Sequence, residues 1–163
     1  YSWRVSILPF IEQNQIHDQF DREASWDSPQ NKIIADTDIY LFHCPSCENS
    51  PPCTTNYVLV TGPGTAWDGD KVHTLDDLSY PEQTLILIEV ADTDIHWAEP
   101  RDLKIDDIDP RFLDEEGNFK CNHPGFVIGA FADGHVEKIP QDQIMEALQK
   151  WSQVEQEKRE REE

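Results

Sequence analysis

Four cysteines, six histidines and a dense set of carboxylates are the side chains of this 163-residue chain with chemistry to offer. Cys44, Cys47 and Cys53 fall within ten residues of one another, and Cys121 stands apart. An even count in an exported domain is the ordinary mark of two disulfides, and spacing does not choose among the pairings that four cysteines allow. A tetrahedral zinc site would use the three close thiolates with a fourth ligand from Cys121, His43 or His123, although the second close pair of a zinc ribbon is absent. A dithiol redox motif is suggested by Cys44-Pro45-Ser46-Cys47. Such motifs depend on a helix N-terminus that depresses the thiol pKa, and Pro51 and Pro52 follow closely here. The expectation is disulfides drawn from Cys44, Cys47, Cys53 and Cys121.

Carboxylates gather at Asp92, Asp94, Asp102, Asp106, Asp107, Asp109, Asp114, Glu115 and Glu116. Calcium takes about six to eight oxygen ligands, often from one flexible loop, so this density is one route to a cation site, but the EF-hand spacing is absent. The plainer reading is a charged, solvated loop, with a divalent-cation-dependent binding module kept as the alternative function. Catalytic patterns are missing. There is no Gly-x-Ser-x-Gly elbow and no HExxH, and Gly62-Pro63-Gly64-Thr65 lacks the Lys of a phosphate loop. His96 and Glu99 beside Trp97 imitate an acid–base pair without a nucleophile. His17, His43, His73, His96 and His135 are scattered and read as hydrogen-bonded surface or core residues. No catalytic residue, no cofactor and no resident metal are expected.

The formal charge is −20, from 33 acidic against 13 basic residues. Residues 141–163 hold seven acidic and four basic groups, so about −17 remains on the body of the chain. That sign disfavours nucleic acid and anionic membrane surfaces, where affinity comes from Lys and Arg neutralising phosphates. Solubility in a crowded or salty exterior is the simple reading, and attraction for divalent cations or a basic partner the sharper one. Apolar residues are 37% of the chain, below the ~45–50% of compact domains. Five Trp, seven Phe and four Tyr nevertheless supply large side chains for a core. The length suits one domain over residues 1–140, with residues 141–163 as a helical extension. The chain starts at Tyr1 without an initiator Met and holds no apolar run near the ~18 residues that cross a bilayer. It reads as an excised or processed product whose anchor lies outside it.

The elements that must position these residues follow from pattern. Ser2 is placed to cap a helix. Val5, Ile7, Leu8, Ile11, Ile16 and Phe20, interrupted by Pro9, predict an irregular segment followed by a helix over 9–20. Residues 21–32 read as loop, 32–36 as a brief helix and 39–42 as a strand leading into the proline-broken cysteine segment. Residues 56–61 predict a strand closed by Gly62-Pro63-Gly64. The nearly continuous apolar run 84–91 predicts a central strand covered on both faces, one of them by a helix. Residues 92–120 form a long acidic excursion of the kind that is often functional. Runs 126–132 and 135–139 flank Asp133-Gly134, which predicts a two-residue type I′ hairpin with positive φ at both positions. Over 141–154, Ile144, Leu148 and Trp151 lie at helical spacing, widened by Met145 and Val154, and the charged 155–163 reads as a solvated end. The sum is an α+β fold: a small, mostly antiparallel sheet with flanking helices.

The stretch Asn122-His123-Pro124-Gly125-Phe126 through Phe131-Ala132-Asp133-Gly134-His135-Val136 sets nine residues between His123 and Asp133-Gly134. It resembles the H-x9-DG signature of a large planctomycete family of unknown function, whose members begin with a prepilin-type cleavage and methylation segment. Other stretches are similar to that family: Ser2-Trp3-Arg4-Val5 with Leu8-Pro9-Phe10-Ile11-Glu12-Gln13, Trp26-Asp27-Ser28-Pro29, Phe42-His43-Cys44-Pro45-Ser46, Val60-Thr61-Gly62-Pro63-Gly64-Thr65-Ala66, and Trp97-Ala98-Glu99-Pro100-Arg101-Asp102-Leu103. The resemblance spans about residues 1–139. It implies a pilin-like fold and a non-enzymatic, pseudopilin-like structural or interaction subunit with His123, Asp133 and Gly134 as motif residues. It further implies an N-terminal apolar helix outside this chain that anchors the protein in the inner membrane, a periplasmic or cell-surface head, and protein partners in a pilus- or secretion-like assembly. His135 departs from the pattern, since a small residue is usual after Asp-Gly, and residues 140–163 extend beyond the family core. In physical terms Pro124 and Gly125 set the entry to the hairpin. His123 is expected at its base, bonding backbone or a carboxylate of the acidic loop, in a structural role rather than as a ligand-binding group.

Overall fold

A computed structural model describes residues 1–47, 50–69 and 74–149. The chain divides into two compact units, Tyr1–Asn56 with Thr93–Arg101, and Tyr57–Asp92 with Asp102–Glu163.

The first unit is helical. Helix α1, Trp3–Ile7, begins where the Ser2 hydroxyl accepts the Arg4 N–H at 3.2 Å, taking up one of the donors that a helix start leaves unpaired. A 3₁₀ turn over Leu8–Ile11 follows with Pro9 in its first positions, and Glu12 closes it in the left-handed region at φ 63°. Helix α2 covers Asn14–Gln19, and helix α3 covers Pro29–Ala35 beneath the N-cap Ser28. The single helix expected over 9–20 is therefore broken in two, and the segment before Pro9, expected to be irregular, is helical. Proline tolerates the first turn of a helix, so Pro9 opens a new turn instead of ending α1. Residues 39–42, expected as a strand, contain a 3₁₀ turn, Tyr40–Phe42. Burial explains the difference: Ile39 and Phe42 are buried while Tyr40 and Leu41 are exposed, a spacing of three that a strand's alternation does not produce.

The core of this unit comprises Val5, Leu8, Phe20, Ala35, Ile39, Phe42, Trp97 and Ala98. Trp97 is fully buried, and its indole N–H donates to the carbonyls of Ala35 and Thr37, each at 3.0 Å. Buried Asn31 ties down the loop before α3. Its carbonyl oxygen accepts the Asp21 N–H at 2.8 Å, and its amide donates to the carbonyls of Asp21 and Ser25 at 2.8 and 2.9 Å.

The second unit holds a five-stranded sheet in the order β3-β1-β2-β4-β5. Its strands are β1 Tyr57–Thr61, β2 Leu85–Glu89, β3 Leu103–Lys104, β4 Phe126–Phe131 and β5 Val136–Pro140. All neighbours pair antiparallel except β1 and β3, so the α+β class holds. β1 and β4 bury every second residue, as a sheet with one covered face requires. β2 lies in the middle of the order, as its apolar run predicts, but Ile86 and Leu87 are only half-buried and a register shift falls between Leu85 and Leu87 in the pairing with β4. The Cβ that Gly129 lacks would lie 2.6 Å from Ile139 Cδ1 and 2.8 Å from Leu85 Cδ1, so glycine leaves room for both side chains.

Residues 92–120 are not a structureless loop. They contain β3 and the 3₁₀ turn Pro110–Phe112, and they bury Ile95, Trp97, Ala98, Leu103, Phe112 and Phe119. The 3₁₀ turn Gln141–Gln143 leads into helical residues 144–149, where Ile144 and Leu148 are buried as their spacing predicts. Trp151, Val154, the charged end 155–163 and His73 lie outside the described residues. No described helix is long and apolar enough to cross a membrane.

Candidate functional site

The H-x9-DG residues frame the hairpin of β4 and β5. Phe126 pairs with Pro140 at one end, and Ala130 pairs with Val136 at the other. At the tip the Phe131 N–H donates to the His135 carbonyl at 3.0 Å, and the Gly134 N–H donates to the Phe131 carbonyl at 2.9 Å. The loop is thus Ala132-Asp133-Gly134. Gly134 has φ +92°, and Asp133 is not among the residues with positive φ. The expected two-residue type I′ turn is replaced by a three-residue loop with glycine alone in the left-handed position, a form whose twist also suits a hairpin. The Asp133 carboxylate accepts the His135 N–H at 3.1 Å and meets the His135 ring nitrogen at 2.6 Å. The His135 N–H, followed by its ring, holds the exposed Asp133 carboxyl below the usual carboxylate range. The His135 ring lies flat on Phe131 at 4.3 Å between centroids. His135 therefore adds a second fastening to the turn.

At the base, His123 pairs with Phe126 as an isolated bridge, and their rings stack at 4.9 Å and 5°. His123 Nε2 lies 3.4 Å from Glu89 Oε1 on β2, and the Asn122 amide donates to the same oxygen at 3.3 Å. Glu89 is buried. A sheet carboxylate, Glu89, is thus one partner of His123. Glu89 was the residue to notice in the sequence: it is the single charge within the apolar run 84–91, and a buried charge requires partners. Five residue steps of β4 separate Phe126 from Phe131, about 17 Å at ~3.3 Å per residue. The two halves of the motif stand at opposite ends of the hairpin, each engaged with its own neighbours.

In the helical unit the Asp38 carboxylate accepts the Cys53 N–H at 2.7 Å and meets His43 Nε2 at 2.8 Å. Burial pushes the Asp38 carboxyl up, but the Cys53 N–H and the His43 hydrogen bond and charge together bring it below its ordinary value. Burial, then the charges of Asp38 and Asp36, push the Cys53 thiol up. The Cys44 N–H donates to the Asn56 side chain at 2.8 Å. No disulfide joins Cys44, Cys47, Cys53 or Cys121, so the expected bridges are not formed in the structure. The His96 ring lies near two indoles, 5.1 Å from Trp26 and 5.9 Å from Trp97 between centroids. Its Nδ1 accepts the Ala98 N–H at 3.2 Å.

The acidic stretch is dispersed over structural tasks. Asp94 pairs with Arg101 at 3.0 Å. Asp102 accepts the Leu59 N–H of β1 at 2.9 Å, Asp109 grips Arg111 at 2.9 Å, and Asp114 accepts the N–H groups of Glu116 and Asn118 at 2.9 Å to close a turn. The half-buried Asp114 carboxyl is held below its usual range by the Asn118 N–H first of all. Asp106, Asp107, Glu115 and Glu116 are exposed. Within either unit, no three described His, Cys, Asp or Glu side chains converge closely enough to hold a metal ion.

The family model described as "Protein of unknown function (DUF1559)" matches residues 1–85, slightly more than half of the chain, and the chain belongs to that family. No curated protein and no solved structure matches it.

Proposed function

We propose that this member of the DUF1559 family is a non-enzymatic, pseudopilin-like structural or interaction subunit: an extracytoplasmic head that displays surfaces to protein partners in a pilus- or secretion-like assembly. The observation that carries this reading is the division of the H-x9-DG residues between the two ends of the β4–β5 hairpin. His123 is engaged at the base with Phe126 and Glu89, and Asp133 and Gly134 form the tip. Side chains at the two ends of a strand about 17 Å long are poorly placed to act together on one small substrate, but they do fasten both ends of a hairpin and so fix the surface it presents. The edge position of β5 among the described strands suits display rather than strand-to-strand polymerisation. β5 ends in Pro140 and carries exposed Glu137 and Lys138, features that blunt an open sheet edge.

The test uses the complete gene product in its own host. Envelope fractionation with mass spectrometry of the mature N-terminus, followed by crosslinking, should find a processed protein in the inner-membrane or surface fraction, joined to other envelope proteins. A cytoplasmic protein with an unprocessed N-terminus would rule the reading out.

A further inference from the structure

The cysteine segment of the helical unit plays no part in the hairpin argument. Cys44-Pro45-Ser46-Cys47 is a hydrogen-bonded turn in which the Cys47 N–H donates to the Cys44 carbonyl at 3.0 Å. A turn of this kind keeps its first and fourth Cα atoms within ~7 Å, which overlaps the ~4.4–6.8 Å that a disulfide spans. The backbone therefore already meets the Cα spacing that a bridge between these two residues needs. Access to them is unequal. Cys44 is buried, 2% exposed, and its Sγ accepts the Ser46 N–H at 3.4 Å, a contact that favours negative charge on that sulfur. Cys47 is half-buried. Both line a cavity of about 180 Å³ with Asp38, Tyr40, His43 and Ser50, where His43 is steadied by Asp38 on one side and by the Tyr40 ring, 6.5 Å away, on the other. Cys53 is a poor competitor, since burial and two carboxylates keep its thiol protonated and the thiolate is the reactive form.

We propose that Cys44 and Cys47 form a reversible thiol–disulfide pair that exchanges with a low-molecular-weight disulfide of the glutathione type, with Cys47 as the attacking thiol and Cys44 as the resolving one. The Cys47 thiolate attacks one sulfur of the external disulfide, a mixed disulfide forms on Cys47, and the first small thiolate leaves. Cys44 loses its proton to solvent and attacks Cys47 Sγ, forming the Cys44–Cys47 bond and expelling the second small thiolate. The pair gives up two electrons and two protons, and the external disulfide takes them up as two small thiols. Oxidation closes the turn covalently, and an excess of the small thiol reopens it. This pairing stands independently of the assembly reading, because it concerns one turn and one cavity of the helical unit.

The experiment equilibrates the full chain in buffers of stepped oxidised-to-reduced glutathione ratio, quenches with an alkylating agent, and reads intact mass and disulfide-linked peptides. Wild type and a Cys53→Ser/Cys121→Ser variant are expected to interconvert between two thiols and one 44–47 bridge as the ratio changes, with the mass of two hydrogens lost on oxidation. Cys44→Ala is expected to stop at a single glutathione adduct on Cys47. Cys47→Ala is expected to gain that adduct at least about ten-fold more slowly, because the remaining thiol is buried. Should Cys44→Ala unfold, Cys44→Ser reads the same adduct. Pairing of either residue with Cys53 or Cys121, an adduct that forms on Cys44 as fast as on Cys47, a bridge that no ratio reduces, or thiols unchanged at every ratio would each overturn the proposal.

Discussion

In the sheet unit, cohesion comes from backbone ladders along which β1 and β4 bury alternate side chains. In the helical unit it comes from single side chains that bond distant backbone: Trp97 to Ala35 and Thr37, Asn31 to Asp21 and Ser25, and Asp38 to Cys53. A ladder spreads a loss over many modest bonds, whereas a clasp concentrates it in one residue whose removal leaves several buried groups unpaired. Substitutions are therefore expected to be graded more steeply in the helical unit.

Trp97→Ala gives the largest effect, a loss of about 3–5 kcal/mol from the cavity, with the Ala35 and Thr37 carbonyls left without their donor. Trp97→Phe separates the two causes, because it keeps a ring and removes the N–H; about 1–3 kcal/mol should go. Urea unfolding followed by far-ultraviolet circular dichroism measures both, and a phenylalanine variant as stable as wild type would break the clasp argument. Next comes Asn31→Ala, at about 1–3 kcal/mol. Asn31→Asp should cost more than alanine, since a carboxylate would then face two carbonyls that now receive amide N–H groups.

In the sheet, Gly129→Ala brings a methyl against the flexible ends of Ile139 and Leu85 and should cost about 1–3 kcal/mol. Pairing it with Ile139→Val should recover part of that loss in a double-mutant cycle. Additive losses would mean that the close approach to Ile139 is not the cause. Gly134→Ala places a side chain at φ +92° and should cost about 1 kcal/mol, well below Trp97→Ala.

The smallest effects are those of pH, and they also fall in the helical unit. Burial, acting first, lowers the His96 pKa, with Lys32 adding to it and Asp36 and Glu99 opposing. The folded state then favours neutral imidazole, so this contribution to stability is complete above the ordinary value of about 6.5 and is lost as pH falls through the lowered one. His96→Gln should flatten the stability profile below about pH 6.5. The lowered pKa of Asp38 acts likewise near its own range: its contribution is present above about pH 3.9 and is lost as pH falls through the folded value. Asp38→Asn should remove that acid-side dependence. A profile that neither variant alters would show that these two groups are not coupled to folding.

The same contrast explains what could be read from the sequence. β1, β2 and the hairpin strands announce themselves through alternation or a continuous apolar run, and the Ile144 and Leu148 spacing marks the final helical turn. In the helical unit the Ser2 cap and part of the helices were legible, but the side-chain clasps that hold it together leave no comparable trace. Asn31 lies in a segment read as loop, and its three hydrogen bonds carry no periodicity. Trp97 sits in an acidic stretch whose composition suggests solvent, although the residue itself is fully buried. At the hairpin tip the composition located the turn, but Asp133 and Gly134 suit a two-residue and a three-residue loop equally, and only the Phe131–His135 hydrogen bond separates them. At its base, the sequence did not single out Glu89 as the group that meets His123, because pairing between strands is a long-range property.

The most direct measurement is native-state hydrogen exchange on the full chain carrying His123→Ala, with Asp133→Ala alongside. If the motif fastens the hairpin from both ends, His123→Ala should lower protection chiefly at the β4 and β5 amides nearest Phe126, and Asp133→Ala chiefly at those nearest Phe131. Unchanged protection in the hairpin, together with loss of envelope crosslinks in both variants, would contradict the account and make His123 and Asp133 contact residues instead.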